Sequence, residues 1–167
     1  MSENSSPSAG PPLAAEVAHL QFLLGTWRGK GSGQYPTIES FEYLEETVFG
    51  HVGKAFLTFV QRTKHLDGTP LHTESGYLRP AGNDGVEFVL SIPSGIMESL
   101  EGTVSGTSLD LTSADIVGTA TAKEVTATTR TYTVDADTPP TTSQWPPWAS
   151  HSPTTSTPHS SGPSPRS

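Results

Sequence analysis

Val125-Thr126-Ala127-Thr128-Thr129-Arg130-Thr131-Tyr132-Thr133-Val134 is the stretch that decides the fold. It is rich in β-branched and aromatic residues, holds neither Gly nor Pro, and repeats with a period of two, which turns one side of an extended segment toward a core. Upstream the same texture recurs, as in Phe41-Glu42-Tyr43-Leu44-Glu45, in short runs punctuated by Gly and Asp at intervals of roughly 8–12 residues. These runs predict strands over Gly25–Gly33, Ile38–His51, Ala55–Arg62, Leu71–Pro80, Gly85–Ser91, Ile96–Val104, Ser108–Ala114 and Lys123–Val134. Leu66-Asp67-Gly68, Asn83-Asp84-Gly85 and Val104-Ser105-Gly106 offer residues that tolerate positive φ between runs, so neighbouring strands should be hairpin partners. So many strands need closure or a second sheet, and no crossover helix interrupts them. The expectation is all-β, an antiparallel up-and-down β-barrel.

Before the first strand, Leu13, Val17, Leu20, Leu23 and Leu24 recur at helical spacing, predicting one short N-terminal helix over Leu13–Leu24 that Gly25 stops. Residues 1–12 are Ser/Pro/Gly-rich and are expected to be a disordered leader. A length of 167 residues suits one domain, here 13–137, and a hydrophobic share of only 32% with 16 Gly and 15 Pro means the folded part is smaller than the chain. The formal charge of −8 and nine scattered Lys and Arg give no basic stripe, which argues against nucleic acid as a partner. No cysteine is present, so disulfide and thiolate chemistry are excluded. With neither a signal-type start nor a long apolar run, no membrane partner is expected and the anticipated location is cytoplasmic.

Gly25-Thr26-Trp27-Arg28-Gly29-Lys30-Gly31 places Trp27 among alternate glycines, Gly25, Gly29 and Gly31. On physics alone it is a structural device, with Gly permitting bends or close approach and Trp filling a barrel end. Its companions extend the pattern: Tyr35-Pro36-Thr37-Ile38, His51-Val52-Gly53-Lys54, Pro70-Leu71-His72-Thr73-Glu74-Ser75-Gly76-Tyr77, Pro93-Ser94-Gly95-Ile96, Glu101-Gly102-Thr103 and Thr121-Ala122-Lys123-Glu124-Val125-Thr126-Ala127. Together, from Leu23 to Asp137, these co-linear motifs resemble the nitrobindin family. The resemblance implies a roughly ten-stranded, lipocalin-like antiparallel barrel carrying b-type haem. In that family one histidine near the C-terminus holds the iron, and the ferric protein interacts with nitric oxide and isomerises peroxynitrite to nitrate. Thr37 and Lys123 fall in matching segments and would lie near haem, Lys123 facing a propionate.

Downstream of Asp137 the resemblance stops. Residues 138–167 are a Pro/Ser/Thr string, expected to be disordered and to supply no ladder, because proline lacks the N–H that a central strand donates. The family's His-Leu segment is missing. The genetic code offers a reason. Read from the third base of each codon, Gln144-Trp145-Pro146 requires Met or Val followed by Ala, and Trp148-Ala149 requires Gly, while Pro146-Pro147-Trp148 permits Ala-Val. Met-Ala-Ala-Val-Gly, a family-like stretch, is thus recoverable in the other frame. Pro153-Thr154-Thr155-Ser156 likewise permits Asp-His-Leu. The expectation is a frameshift near Thr138–Thr141 that removed the last strands and a histidine at about Thr154 or Thr155.

None of the remaining histidines is an expected iron ligand. His19 lies on the helix, His65 near a turn, His51 and His72 in strands whose counterparts occur beside the usual ligand, and His151 and His159 in the tail. No metal-ligating or catalytic residue is assigned, and no cofactor is expected for the chain as it stands. Three functions follow from the resemblance: a nitrobindin-like barrel unable to ligate haem iron, a ferric haem peroxynitrite isomerase, or a haem-free carrier of a small apolar ligand.

Overall fold

The computed structural model describes residues 10–35, 38–134 and 152–154. Val17, Leu20 and Leu23 are spaced by three, the period at which a 3₁₀ helix stacks side chains on one face. The N-terminal helix is accordingly 3₁₀, Ala15–Leu23, with all three residues fully buried. Trp27, two residues into the first strand, donates its indole Nε1–H to the carbonyl of Leu23 at 2.7 Å, which ties the helix end to the sheet and satisfies a buried donor.

All the predicted strands form: β1 (Gly25–Tyr35), β2 (Ile38–His51), β3 (Leu57–His65), β4 (Pro70–Pro80), β5 (Gly85–Ile92), β6 (Ile96–Ser105), β7 (Ser108–Gly118) and β8 (Ala127–Thr133). They pair antiparallel in sequence order, the meander expected of an up-and-down barrel. Three details differ from the sequence reading. β8 starts at Ala127 rather than Lys123, because residues 119–126 form a loop pinned by Thr119 N–H to Gly95 O at 2.8 Å and Ala122 N–H to Thr119 O at 3.0 Å. The β4–β5 turn takes its positive φ at Gly82 (83°) and not within Asn83-Asp84-Gly85, since glycine reaches that region without a Cβ penalty. Finally, the tail does supply a ladder. Ser152–Thr154 forms β9 on β8, with Ala127 opposite Thr154 and Thr129 opposite Ser152. An edge position accommodates Pro153, whose missing N–H need not face β8, and it covers part of an otherwise open edge.

β1 and β9 end the strand order, and among the described residues no ladder joins them, so the sheet curls without hydrogen-bonded closure. The helix and the turns after β2, β4 and β6 lie at one end. The turns after β1, β3 and β5 and the loop after β7 form the mouth at the other. Toward the helix end the interior is a ring cluster: Phe49–Phe59 centroids at 5.1 Å, Phe59–Phe88 at 4.8 Å and Phe49–Tyr132 at 5.9 Å, walled by Leu57, Leu78, Leu100, Leu109 and Leu111. Close backbone approach explains Gly102: a Cβ there would stand 1.8 Å from Asp110 O on the neighbouring strand.

Candidate functional site

Above the ring cluster the inward positions turn polar. Glu45 and Thr47 on β2, Gln61 on β3, Glu74 on β4, Glu98 on β6, and Thr128 and Arg130 on β8 share the interior parity of their strands, and Thr47, Gln61, Glu74, Glu98 and Arg130 are all buried. Arg130 spans the lumen. Its Nη1 donates to Glu74 Oε1 at 2.5 Å and its Nη2 to Glu74 Oε2 at 3.0 Å and Glu98 Oε2 at 3.3 Å. Thr128 donates to Glu98 as well. The fork clamps β8 to β4 and β6, strands that are not its ladder neighbours, by the bidentate geometry that only arginine offers a carboxylate.

The electrostatics follow from burial and from three carboxylates around one guanidinium. Burial opposes the charge of Arg130, but Tyr132, Glu74 and Glu98 more than offset it and move its pKa up, so it stays a cation. Burial pushes the Glu45 carboxyl above its ordinary range. Hydrogen bonds from Gln61 and Thr47 (Thr47 Oγ1 to Glu45 Oε1, 3.2 Å) partly counter this, and the charge of Glu74 adds to it. Tyr132, fully buried below the belt, is likewise pushed up by burial and is a neutral phenol at physiological pH. At the mouth, His72 lies with Nε2 3.8 Å from Glu74 Oε2, its side chain 45% exposed.

The alternate glycines lie on the interior side of β1. Gly25, Trp27, Gly29 and Gly31 share the interior parity of β1, Trp27 and Gly29 are buried, and a Cβ on Gly31 would meet the Tyr43 ring at 2.3 Å. Lys123 is an exposed loop residue at the mouth, and Thr37 lies outside the described residues. His19 is exposed on the helix, and His65 sits at the end of β3 by the mouth. His51 is at the helix end with a buried Nδ1 that has no hydrogen-bond partner. His151, His159 and Thr155 lie outside the described residues, whereas Thr154 is the last residue of β9. The interior belt is absent from the sequence reading. Its signal was present, in that Glu74, Glu98 and Arg130 occupy inward positions of alternating strands, but parity alone does not say which face of a strand is inside.

Among the described residues, no group of three or more His, Cys, Asp and Glu could hold a metal ion. No described helix is long and apolar enough to cross a membrane, which says nothing of strands. Comparison with known proteins bears on what the barrel is for. The family described as "THAP4-like, heme-binding beta-barrel domain" matches residues 16–153. The chain is 48% identical to a protein of Nocardia farcinica named peroxynitrite isomerase, over 83% of this chain and 85% of that one. It is 53% identical to peroxynitrite isomerase 1 of Mycobacterium tuberculosis, over 75% of this chain and 81% of that one. The crystal structure of Rv2717c from M. tuberculosis superposes with a TM-score of 0.69 at 51% identity, covering 75% of this chain and 83% of that one. With a matching fold and about half of the aligned residues identical to these relatives, the chain belongs to the THAP4-like haem-binding β-barrel family, the nitrobindin family.

Proposed function

We propose that this chain is a haem-family barrel that has lost its iron ligand and does not hold haem iron in the family manner. The observation that carries the reading is the content of the segment laid on β8: it reads Ser152-Pro153-Thr154, with no imidazole where the resemblance calls for one. The remaining donors support it. Haem iron is held by His, Cys, Met or Tyr side chains. The chain has no cysteine, Met97 is half exposed on the outer face, and Tyr132 is a buried neutral phenol. His72 faces Glu74 from the mouth, on the wall across the lumen from β8. The apolar floor is filled by Phe49, Phe59, Phe88 and Tyr132, which leaves the mouth above the belt as the place for any porphyrin or small apolar ligand.

Hemin titration of the purified chain tests this. The expected result is a broad, weak Soret change that sharpens when free imidazole is added, because imidazole can supply the missing bond to a porphyrin held by burial alone. A one-to-one complex with the sharp five-coordinate or low-spin spectrum of histidine ligation, obtained without imidazole, defeats the proposal. The second reading, ferric haem isomerisation of peroxynitrite to nitrate, draws on the names of relatives at 48–53% identity. It requires the ligand, and resequencing the locus separates the two: an intact His-Leu ending in the original frame would restore it.

A further inference from the structure

Among the described residues Asp is followed by Gly twice, at Asp67-Gly68 in the turn after β3 and at Asp84-Gly85 in the turn after β4. Such a step can close on itself. The amide nitrogen of the glycine, unhindered by a Cβ, attacks the Cγ of the preceding aspartic acid, a carboxyl oxygen leaves as water, and a five-membered imide remains. Water then reopens the ring at either carbonyl. One product is the original aspartate, and the other is isoaspartate, whose main chain runs through Cβ.

As sequence the two steps are alike, and the fold separates them. At Asp67-Gly68 both reacting groups are engaged: Gly68 N–H donates to His65 O at 2.9 Å, and Asp67 Oδ1 accepts from Thr69 N–H at 2.9 Å. Hydrogen bonds from the main chain and side chain of Thr69 also hold the Asp67 carboxyl below its ordinary range, in the ionised form that expels no water. At Asp84-Gly85 neither group is engaged. The exposed Asp84 carboxylate accepts no hydrogen bond among the described residues. Val104 N–H donates to Asp84 O at 2.9 Å, one step beyond the Gly85–Thr103 pair, so that pair is a non-hydrogen-bonded one and Gly85 N–H points away from β6, toward Ala81. There Ala81 N–H donates to Gly85 O at 2.8 Å, and Gly85 N–H meets no acceptor among the described residues. The bond at Asp84 O draws electron density out of the same peptide group and makes its N–H more acidic. Nor can the step be relieved by another residue, because a Cβ on Gly85 would stand 2.2 Å from Ala81 O.

We propose that Asp84 is a site of spontaneous isoaspartate formation, from which Asp67 is protected by its turn. The extra main-chain methylene would fall where Asp84 O meets Val104, so the modified chain loosens the tie between the β4–β5 turn and the end of β6.

Warm incubation of the full chain in mildly acidic buffer, where free aspartyl carboxyls are in part protonated, tests this by peptide mapping. Isoaspartate leaves the mass unchanged and blocks a protease that cuts before aspartate. It should accumulate at residue 84 roughly tenfold faster than at residue 67, the cost of breaking one or two ordinary hydrogen bonds. In urea, which removes both turns, the two rates should converge. Asp84→Glu keeps the charge but would need a six-membered ring, so it should abolish the conversion at this position while circular dichroism matches the parent. Equal rates at the two sites in the folded chain overturn the proposal, as does conversion that survives Asp84→Glu. So does a preference for residue 84 that persists in urea, which would trace it to neighbouring side chains, and so does a modified peptide of raised mass, which would place the chemistry at the Asn83 amide.

Discussion

Arg130 shows how one residue can tie an interior together. It satisfies two buried carboxylates at once, so removing it strands both. Arg130→Met should destabilise the chain by about 3–5 kcal/mol in urea unfolding, whereas combining it with Glu74→Gln and Glu98→Gln should recover most of that loss, because a buried ion cluster replaced as a whole leaves no unpaired charge. A triple variant no more stable than the single one would show that the loss does not come from stranded carboxylates. Glu45 makes a signed prediction. Its carboxyl holds a proton more tightly in the folded state than its ordinary value near 4.5, so folding is penalised as pH rises through the folded pKa. Glu45→Gln should match the parent in stability below pH 4.5, gain on it as pH rises from there, and level off above the folded pKa. A difference that shrinks with rising pH contradicts the assignment. Neither residue stood out in the sequence, where Arg130 and Glu45 each read as one more member of an alternating strand.

At the scale of elements, most strands were legible because Gly-punctuated β-branched runs leave little else that the backbone can do. The misreadings share one cause. The start of β8 was set too early because Lys123-Glu124-Val125-Thr126 has strand composition, yet the loop from Thr119 is held by Gly95 on another hairpin, a contact distant in sequence. β9 was missed because its residues suit no strand. It forms because β8 offers an edge, and Ala127–Thr129 lie opposite it. The helix was located, but its 3₁₀ form comes from the packing of Val17, Leu20 and Leu23 and from the Trp27 contact at its end.

For the whole molecule, a barrel-family sheet whose two end strands are joined by no ladder among the described residues is kept curled by packing and by the Arg130 fork across β4, β6 and β8. Such a sheet loses the mutual protection of a closed ladder. The chain should melt broadly with a midpoint below about 60 °C, and a version given the family-like ending that the proposed frameshift would have removed should melt more sharply and several degrees higher by differential scanning calorimetry. A sharp transition well above that temperature in the present chain would mean that closure matters little. By itself the sequence determined the family, the strand order and the N-terminal helix, because these depend on local composition, turn chemistry and co-linear motifs. The tertiary structure alone decided which face of each strand is interior, and with it the belt of Glu74, Glu98 and Arg130. Period-two alternation names two faces, and only packing against the other strands says which one is buried.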